Sequence, residues 1–271
     1  MNKLVGEKIS IITSKAQTTR HRIMGIVSGE NFQIVYSDTP GIIKPNYQLQ
    51  SLMMKFVSTA LTDADIILYV TDVVEKAEKN IRYLDKIRQS DIPVIVAINK
   101  IDLEKKEKTD VMIENWKQIL PKAEVIPVSA LYKTNIDYLF KRIIQLLPAG
   151  PPYYPKETLT DRSQRFFISE IIREKILKNY SKEIPYSVSV VVESFNEEEN
   201  IIRIRSVIHV LRDSQKGIII GHQGKALKKT GTEARKDIED FLGKKVFLEL
   251  FVKVRKDWRN KTKILRDLGY H

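Results

Sequence analysis

Two short polar motifs in the first half of the sequence carry side chains that could bind a ligand. The first motif is Asp38-Thr39-Pro40-Gly41, and the second is Asn99-Lys100-Ile101-Asp102. A carboxylate at Asp102 can accept hydrogen bonds from N1 and the 2-amino group of guanine. Adenine offers no such pair of donors, so the wrong base would leave the acceptor unpaired. The second motif therefore predicts a guanine-selective base pocket.

Residues around the second motif complete the predicted pocket. The Asn99 amide can reach the opposite edge of the base and tie neighbouring loops together, and the Lys100 stem can lie flat across the purine. Ser129 and Ala130 end the next apolar run, where the backbone amide of Ala130 would donate to the guanine oxygen. The predicted GTP-binding residues are Asp38, Thr39, Pro40, Gly41, Ile42, Asn99, Lys100, Ile101, Asp102, Ser129 and Ala130.

The first motif is typical of a loop that meets magnesium and the γ-phosphate. An aspartate such as Asp38 holds Mg²⁺ through water, and Gly41 lets a backbone amide approach the phosphate. A plain turn is the alternative, because Pro and Gly favour one in any case. Ile42 stands where many switch proteins place a glutamine that orients the attacking water, so no catalytic residue is assigned.

A glycine turn in the second half has the residue types of a single-stranded RNA clamp. Two glycines allow the backbone to press against a phosphodiester chain, and the N-terminus of the following helix favours negative charge. Ile218, Ile219 and Ile220 would line an apolar groove for unstacked bases, with Arg235 among the cations beside it. The predicted RNA-binding residues are Ile218, Ile220, Gly221, His222, Gln223, Gly224, Lys225, Lys228 and Lys229.

Charge and composition favour a polyanion-binding protein. The formal net charge is +12, and residues 212–271 hold 16 Lys and Arg against 8 Asp and Glu. An excess this concentrated indicates a polyanion surface, with a solvated lysine-rich face as the alternative. The absence of cysteine excludes disulfides and thiol chemistry. No apolar run reaches the roughly 18–20 residues that cross a bilayer, so we expect a cytoplasmic protein, with a peripheral membrane contact left open.

Two architectures with a Pro-rich linker between them would position these motifs. Before the linker, strand and helix patterns alternate, which predicts an α/β fold with ligand sites at the carboxyl ends of its strands. After it the order is helix, strand, strand, helix, helix, strand. The strands are predicted at 23–27, 32–36, 66–70, 94–98, 125–128, 186–193, 201–211 and 246–254. The helices are predicted at 81–88, 110–120, 136–147, 163–178, 215–220 and 225–242, with Phe167, Ile168, Ile171, Ile172 and Ile176 on one face of the helix at 163–178.

Along its whole length the chain resembles the Era family, bacterial ribosome-assembly GTPases with a C-terminal KH domain. The resemblance is carried by GEKISI at 6–11, KAQTTRHR at 15–22, TDRSQRF at 160–166, EIIREK at 170–175, PYSV at 185–188, GTEARK at 231–236 and LRDLGY at 265–270. It implies a Ras-like GTPase sheet over 1–148, a linker over 149–160 and an α+β type II KH domain over 161–271. GTP and Mg²⁺ are the implied ligands, with Thr18 or Thr19 as the switch threonine beside the metal.

The resemblance further implies a monomer that binds the 3′ region of small-subunit ribosomal RNA and assists maturation of the 30S subunit. One departure concerns the start. In the family, a strand and a G-x-x-x-x-G-K-[ST] phosphate loop precede the segment that residues 1–6 resemble, so we expect both to be missing from this chain. A mistaken start and a real loss are the two explanations. We therefore expect GTP hydrolysis in the full-length form and impaired hydrolysis here, with an RNA-binding assembly factor that lacks GTPase activity as the alternative.

Overall fold

The structure, a computed structural model, describes residues 1–13, 15, 17–74 and 81–270, with the backbone alone at 81 and 82. The chain forms two compact units. The first unit contains residues 1–8, 24–38 and 57–160, and the second unit contains residues 9–23, 39–56 and the chain from 161 onward. Two segments from the first sixty residues therefore fold with the C-terminal half of the chain.

The helices and strands among the described residues follow the predicted order closely. The strands are β1 Ile23–Ser28, β2 Gln33–Asp38, β3 Ile67–Asp72, β4 Val94–Asn99, β5 Glu124–Pro127, β6 Ser189–Glu197, β7 Ile202–Val210 and β8 Val246–Val254. The helices are α1 Asn2–Val5, α2 Gln48–Thr62, α3 Ile81–Arg88, α4 Lys106–Ile119, α5 Ile136–Leu146, α6 Gln164–Asn179, α7 Asp213–Ile220, α8 Lys225–Leu242 and α9 Thr262–Asp267. Of these, α2 and α9 were not predicted.

The first unit is built around the central strand β4. It pairs in parallel with β3 and β5, and Ile95, Val96 and Ile98 are fully buried, as the continuous apolar run predicts. Both β3 and β4 run further than predicted. Asp72 and Asn99 are consequently the last residues of adjacent strands and are register partners. The carboxyl edge of this sheet therefore carries polar side chains from both strands.

The predicted linker is attached to the hairpin of β1 and β2 instead of running free. The hairpin is closed by a hydrogen bond from the Gly29 N–H to the Phe32 carbonyl. Gln33 exchanges hydrogen bonds with the backbone of Tyr154, its Nε2 donating at 2.8 Å and its Oε1 accepting at 2.9 Å. The Ile26 N–H donates to Leu159 at 2.9 Å. The linker thus contributes the N–H and carbonyl of Tyr154 and the carbonyl of Leu159 to hydrogen bonds with the hairpin strands.

The second unit has a three-stranded sheet in the order β6-β7-β8, with β6 and β7 antiparallel and β7 and β8 parallel. Ser163 caps α6, its side chain accepting a hydrogen bond from the Phe166 N–H. The predicted apolar face of α6 is buried in the core, and Arg173, Glu174 and Lys175 are buried as well. The helix is covered on more than its sheet-facing side.

Lys15, Thr18 and Arg20 provide this second cover through hydrogen bonds from side chains to main-chain carbonyls. Arg20 donates to the carbonyl of Val188 at 2.6 Å and to that of Pro185 at 3.0 Å. Arg173 of α6 donates to the Thr18 carbonyl at 2.6 Å, and Lys15 donates to the carbonyl of Leu177. Backbone carbonyls accept from the buried Arg20 guanidinium, whereas Arg173 also donates to the Glu170 carboxylate at 2.7 Å, which offsets part of the cost of burying its charge.

His21 is buried inside the second unit and is held neutral. Its ring stacks on Tyr270 at 4.4 Å between centroids and meets the edge of Phe166 at 5.3 Å. Burial lowers the pKa of His21 from 6.5 to about 3, and the opposing charge of Glu170 offsets only part of that effect. In mild acid the His21 imidazole is therefore protonated in the unfolded chain and stays neutral in the folded chain.

We expect the stability of the second unit to fall as the pH drops from 7 to 5. Because the folded pKa of His21 is depressed, its contribution is complete above the unfolded value and is lost as the pH falls below it. The loss is about 2 kcal/mol over this range. Urea unfolding of the wild type and of His21→Phe checks the prediction, since the variant should lack this component. An equal pH dependence in both proteins would contradict it.

Helix α2 is absent from the predictions because distant residues complete its first turn. The Leu49 N–H donates to the Arg259 carbonyl at 2.9 Å, and the Gln48 N–H donates to Asn260 Oδ1 at 3.4 Å. The Arg259 guanidinium also lies 4.4 Å from the centre of the Tyr47 ring. Orphan N–H groups at a helix start need such acceptors, and here they come from the far end of the chain.

Candidate functional site

The two base-pocket loops of the first unit meet at the ends of β4 and β5. The N–H of Ala130 donates to Asn99 Oδ1 at 3.0 Å, and Ser129 Oγ donates to Asp102 Oδ1 at 2.5 Å. Ser129 is buried whereas Asp102 is exposed. The structure thus places the second motif beside Ser129 and Ala130, and Asn99 ties the two loops together. The Ala130 N–H, expected to donate to the guanine oxygen, donates to the Asn99 side chain instead. The serine hydroxyl fixes one carboxylate oxygen of this exposed side chain.

Backbone geometry presents this carboxylate from a tight turn. Lys100 adopts a left-handed conformation with φ 64°, and residues Ile101–Leu103 form a single 3₁₀ turn behind it. The second loop is closed by hydrogen bonds from the Ser129 N–H to Thr134 and from Asn135 Nδ2 to Pro127. Since both loops are held by their own contacts, the pocket needs little reorganisation to accept a planar base.

The predicted metal residues lie in different units. Asp38 ends β2 in the first unit, and Thr18 and Thr19 belong to the second unit, as do Thr39, Pro40, Gly41 and Ile42. The Thr18 hydroxyl donates to the Lys15 carbonyl at 2.6 Å. The side chains of Asp38, Thr18 and Thr19 offer only oxygen ligands, which suit Mg²⁺. Over residues 1–74 and 81–270, leaving out 14 and 16, no group of three His, Asp or Glu side chains could hold a metal ion.

The glycine turn of the second unit joins α7 to α8 with two glycines of different roles. Gly221 has φ 71°, and a Cβ there would lie 2.6 Å from the Cβ of Ala226. Gly224 has φ 76°, but a Cβ there would meet nothing within 4 Å. Between them Gln223 also has a positive φ of 50°. Packing therefore requires Gly221, whereas Gly224 leaves open space beside the backbone.

A groove of about 360 Å³ runs beside this turn. Its lining residues are Gly224, Leu227, Lys228, Gly231, Thr232, Arg235, Leu248 and Leu250. The expected isoleucine wall is wrong at Ile219, which is fully buried, and Ile220 packs against the core. Ile218 is 51% exposed but does not line this groove. Two leucines of β8 supply the wall, and a pattern local to α7 could not have indicated a strand that lies later in the chain.

Two of the four predicted cations after the turn are not neutralised by neighbours. In the described part of the chain Lys225 and Lys228 make no salt bridge, whereas Lys229 lies 3.9 Å from Glu233 and Arg235 pairs with Glu239 at 2.9 Å. Helix α8 begins at Lys225 with no side-chain cap and no acidic residue in its first turn. Free N–H groups and unpaired lysines at one place favour an anion such as a phosphodiester.

The described helices include none long and apolar enough to span a lipid bilayer. A family model described as a 50S ribosome-binding GTPase matches residues 1–100, and one described as a KH domain matches residues 183–259. The chain is 44% identical to GTPase Era of Syntrophus aciditrophicus over all of this chain and 90% of that protein. It is 42% identical to GTPase Era of Staphylococcus haemolyticus, over all of this chain and 91% of that protein.

Two solved structures match the fold over 99% of this chain, each at 37% sequence identity. One is a variant of Aquifex aeolicus Era bound to GDP and AlF4⁻, with a TM-score of 0.94 and 93% of that chain covered. The other is Era in complex with MgGDPNP and nucleotides 1506–1542 of 16S ribosomal RNA, with a TM-score of 0.95 and 92% covered. The chain therefore belongs to the Era family of GTPases, with a Ras-like GTPase fold followed by a KH domain.

Proposed function

We propose that this chain binds GTP with Mg²⁺ and the 3′ region of small-subunit ribosomal RNA, and assists maturation of the 30S subunit. Guanine recognition is assigned to the G domain over 1–148 and RNA recognition to the KH domain over 161–271. The protein acts as a monomer in the cytoplasm. The observation that carries the proposal is the pair of preformed sites, one fixing Asp102 against Ser129 and one opening Gly224 beside unpaired lysines.

The comparisons support the same pair of ligands. An Era protein of matching fold holds MgGDPNP and the 3′ nucleotides of 16S RNA together. In this chain the oxygen donors of Asp38 and of Thr18 or Thr19 suit magnesium, and we assign Gly41 to the γ-phosphate. The predicted GTP-binding and RNA-binding residues are kept as proposals, with Leu227, Leu248 and Leu250 taking the place of the three isoleucines in the groove wall.

Fluorescence anisotropy tests the RNA part directly. A labelled RNA equivalent to nucleotides 1506–1542 should bind at least tenfold more tightly than the same nucleotides in reversed order, because base stacking and edge contacts discriminate single strands. The titration is repeated at two salt concentrations to separate phosphate contacts from base contacts. Equal affinity for the two RNAs would contradict sequence-dependent recognition by the KH groove.

The expected rate of GTP hydrolysis depends on a phosphate-loop motif. No G-x-x-x-x-G-K-[ST] motif occurs in the 271 residues, so the chain as printed lacks the amide cradle and lysine that hold the β- and γ-phosphates. We expect turnover of GTP to be at least a hundredfold slower than in a relative that has the loop. A phosphate-release assay on both proteins checks this. Equal rates would show that other groups replace the loop.

A further inference from the structure

Lys100 of the guanine motif is held by a carboxylate from the neighbouring strand. Lys100 Nζ lies 2.5 Å from Asp72 Oδ2. Asp72 is the register partner of Asn99 in the pairing of β3 with β4, so it stands beside the first residue of the motif. It therefore belongs to the carboxyl edge that carries the base loops, although its own sequence surroundings contain no recognisable motif.

Asp72 is oriented by its own strand before it meets the lysine. Its Oδ1 accepts a hydrogen bond from the Val74 N–H at 2.9 Å, and the Val73 N–H donates to the Asn99 carbonyl at 3.3 Å. One carboxylate oxygen is thus used by the strand end, and the other is directed at Lys100. The Asp72 side chain is 23% exposed and that of Lys100 is 51% exposed. The acid is fixed while the lysine stem stays open to a ligand.

We propose that Asp72 is a positioning residue of the guanine site, acting through Lys100. The inference rests on the proposed function, in which the Lys100 stem covers the purine face. A free lysine stem would lose rotamer freedom when it covers a base. Asp72 holds the Lys100 ammonium, and the Lys100 backbone is set at φ 64°. Part of the rotamer entropy of the lysine is therefore lost before the nucleotide binds. Asp72 raises nucleotide affinity without touching the nucleotide.

Titration of GDP into the full chain tests this role with Asp72→Asn, and nucleotide is taken into the millimolar range. We expect GDP affinity to fall about fivefold, which is the size of a partly exposed ion pair. Asp72→Glu should recover part of the loss. In a Lys100→Met background, Asp72→Asn should have no further effect. The matched control is Asp91→Asn, which removes the exposed Asp91–Lys122 pair from the same unit and should leave affinity unchanged.

A nucleotide-free readout separates positioning from folding. The Lys100 ε-methylene group should be ordered by side-chain NMR relaxation in the wild type and mobile in Asp72→Asn. A wild-type chain that binds no guanine nucleotide would overturn the proposed function and this role with it. Wild-type binding with equal affinity in Asp72→Asn would overturn the role of Asp72 alone. If Asp72→Asn lowers GDP affinity fivefold in the Lys100→Met background as well, the positioning role is also overturned. Asp72 would then affect affinity through the fold and not through Lys100.

Discussion

Gly224→Asp reduces RNA affinity at least a hundredfold while leaving the KH domain folded. The variant places a carboxylate where the structure leaves open space beside the turn, next to the unpaired Lys225 and Lys228. A negative charge there repels the phosphodiester and competes for the free N–H groups of α8. Each lost charge-assisted contact costs about 1.5–3 kcal/mol, so two suffice for the expected effect. Anisotropy titration with the 16S-type RNA measures it.

Gly243→Asp is the matched control for this variant. Gly243 ends α8 with φ 66°, and a Cβ there would also meet nothing within 4 Å. The two variants share the backbone strain, the added charge and the helix, but Gly243 lies at the opposite end of α8. Gly221→Asp is a weaker test, because a Cβ at Gly221 collides with Ala226 and disturbs packing. Normal RNA binding by Gly224→Asp would show that the turn is not the RNA site.

Much of the fold was predictable where a short sequence pattern is compatible with only one secondary structure. β4 is a continuous apolar run, and a run of that kind is stable only between two covered faces. Helix α8 has the predicted bounds because glycines flank it on both sides, at Gly224 and Gly243. The loops of the base pocket were predicted for a related reason. Strands that end at one edge of a parallel sheet bring their following loops together.

What could not be predicted depends on partners far away in the chain. The first turn of α2 is completed by residues 259 and 260, and the groove wall comes from Leu248 and Leu250 of β8. The buried charges of α6 follow from the cover supplied by Lys15, Thr18 and Arg20, which a helical periodicity does not contain. Asp72 was missed because only the strand register places it beside Asn99.

Asp102→Asn should weaken GDP binding by about 10²- to 10³-fold and remove the preference for guanine. The aspartate accepts from two donors on the base, and each charge-assisted bond contributes about 1.5–3 kcal/mol. An amide presents one acceptor and one NH₂ donor, which suits the 2-oxo group of xanthine better than the 2-amino group of guanine. Competition of GDP and xanthosine diphosphate for the protein measures both effects. The titrations extend into the millimolar range.

The surroundings of Asp102 in the structure indicate that Asp102→Asn leaves the fold intact. Asp102 is exposed and its side-chain partner is the Ser129 hydroxyl, which can donate to an amide oxygen as it does to the carboxylate. The fold should therefore survive, so a loss of affinity reports on the base contact. Asp110→Asn, an exposed change on α4 of the same unit, controls for the altered charge. If Asp102→Asn keeps its preference for GDP, the specificity resides in groups other than this carboxylate, and the guanine assignment of the second motif is wrong.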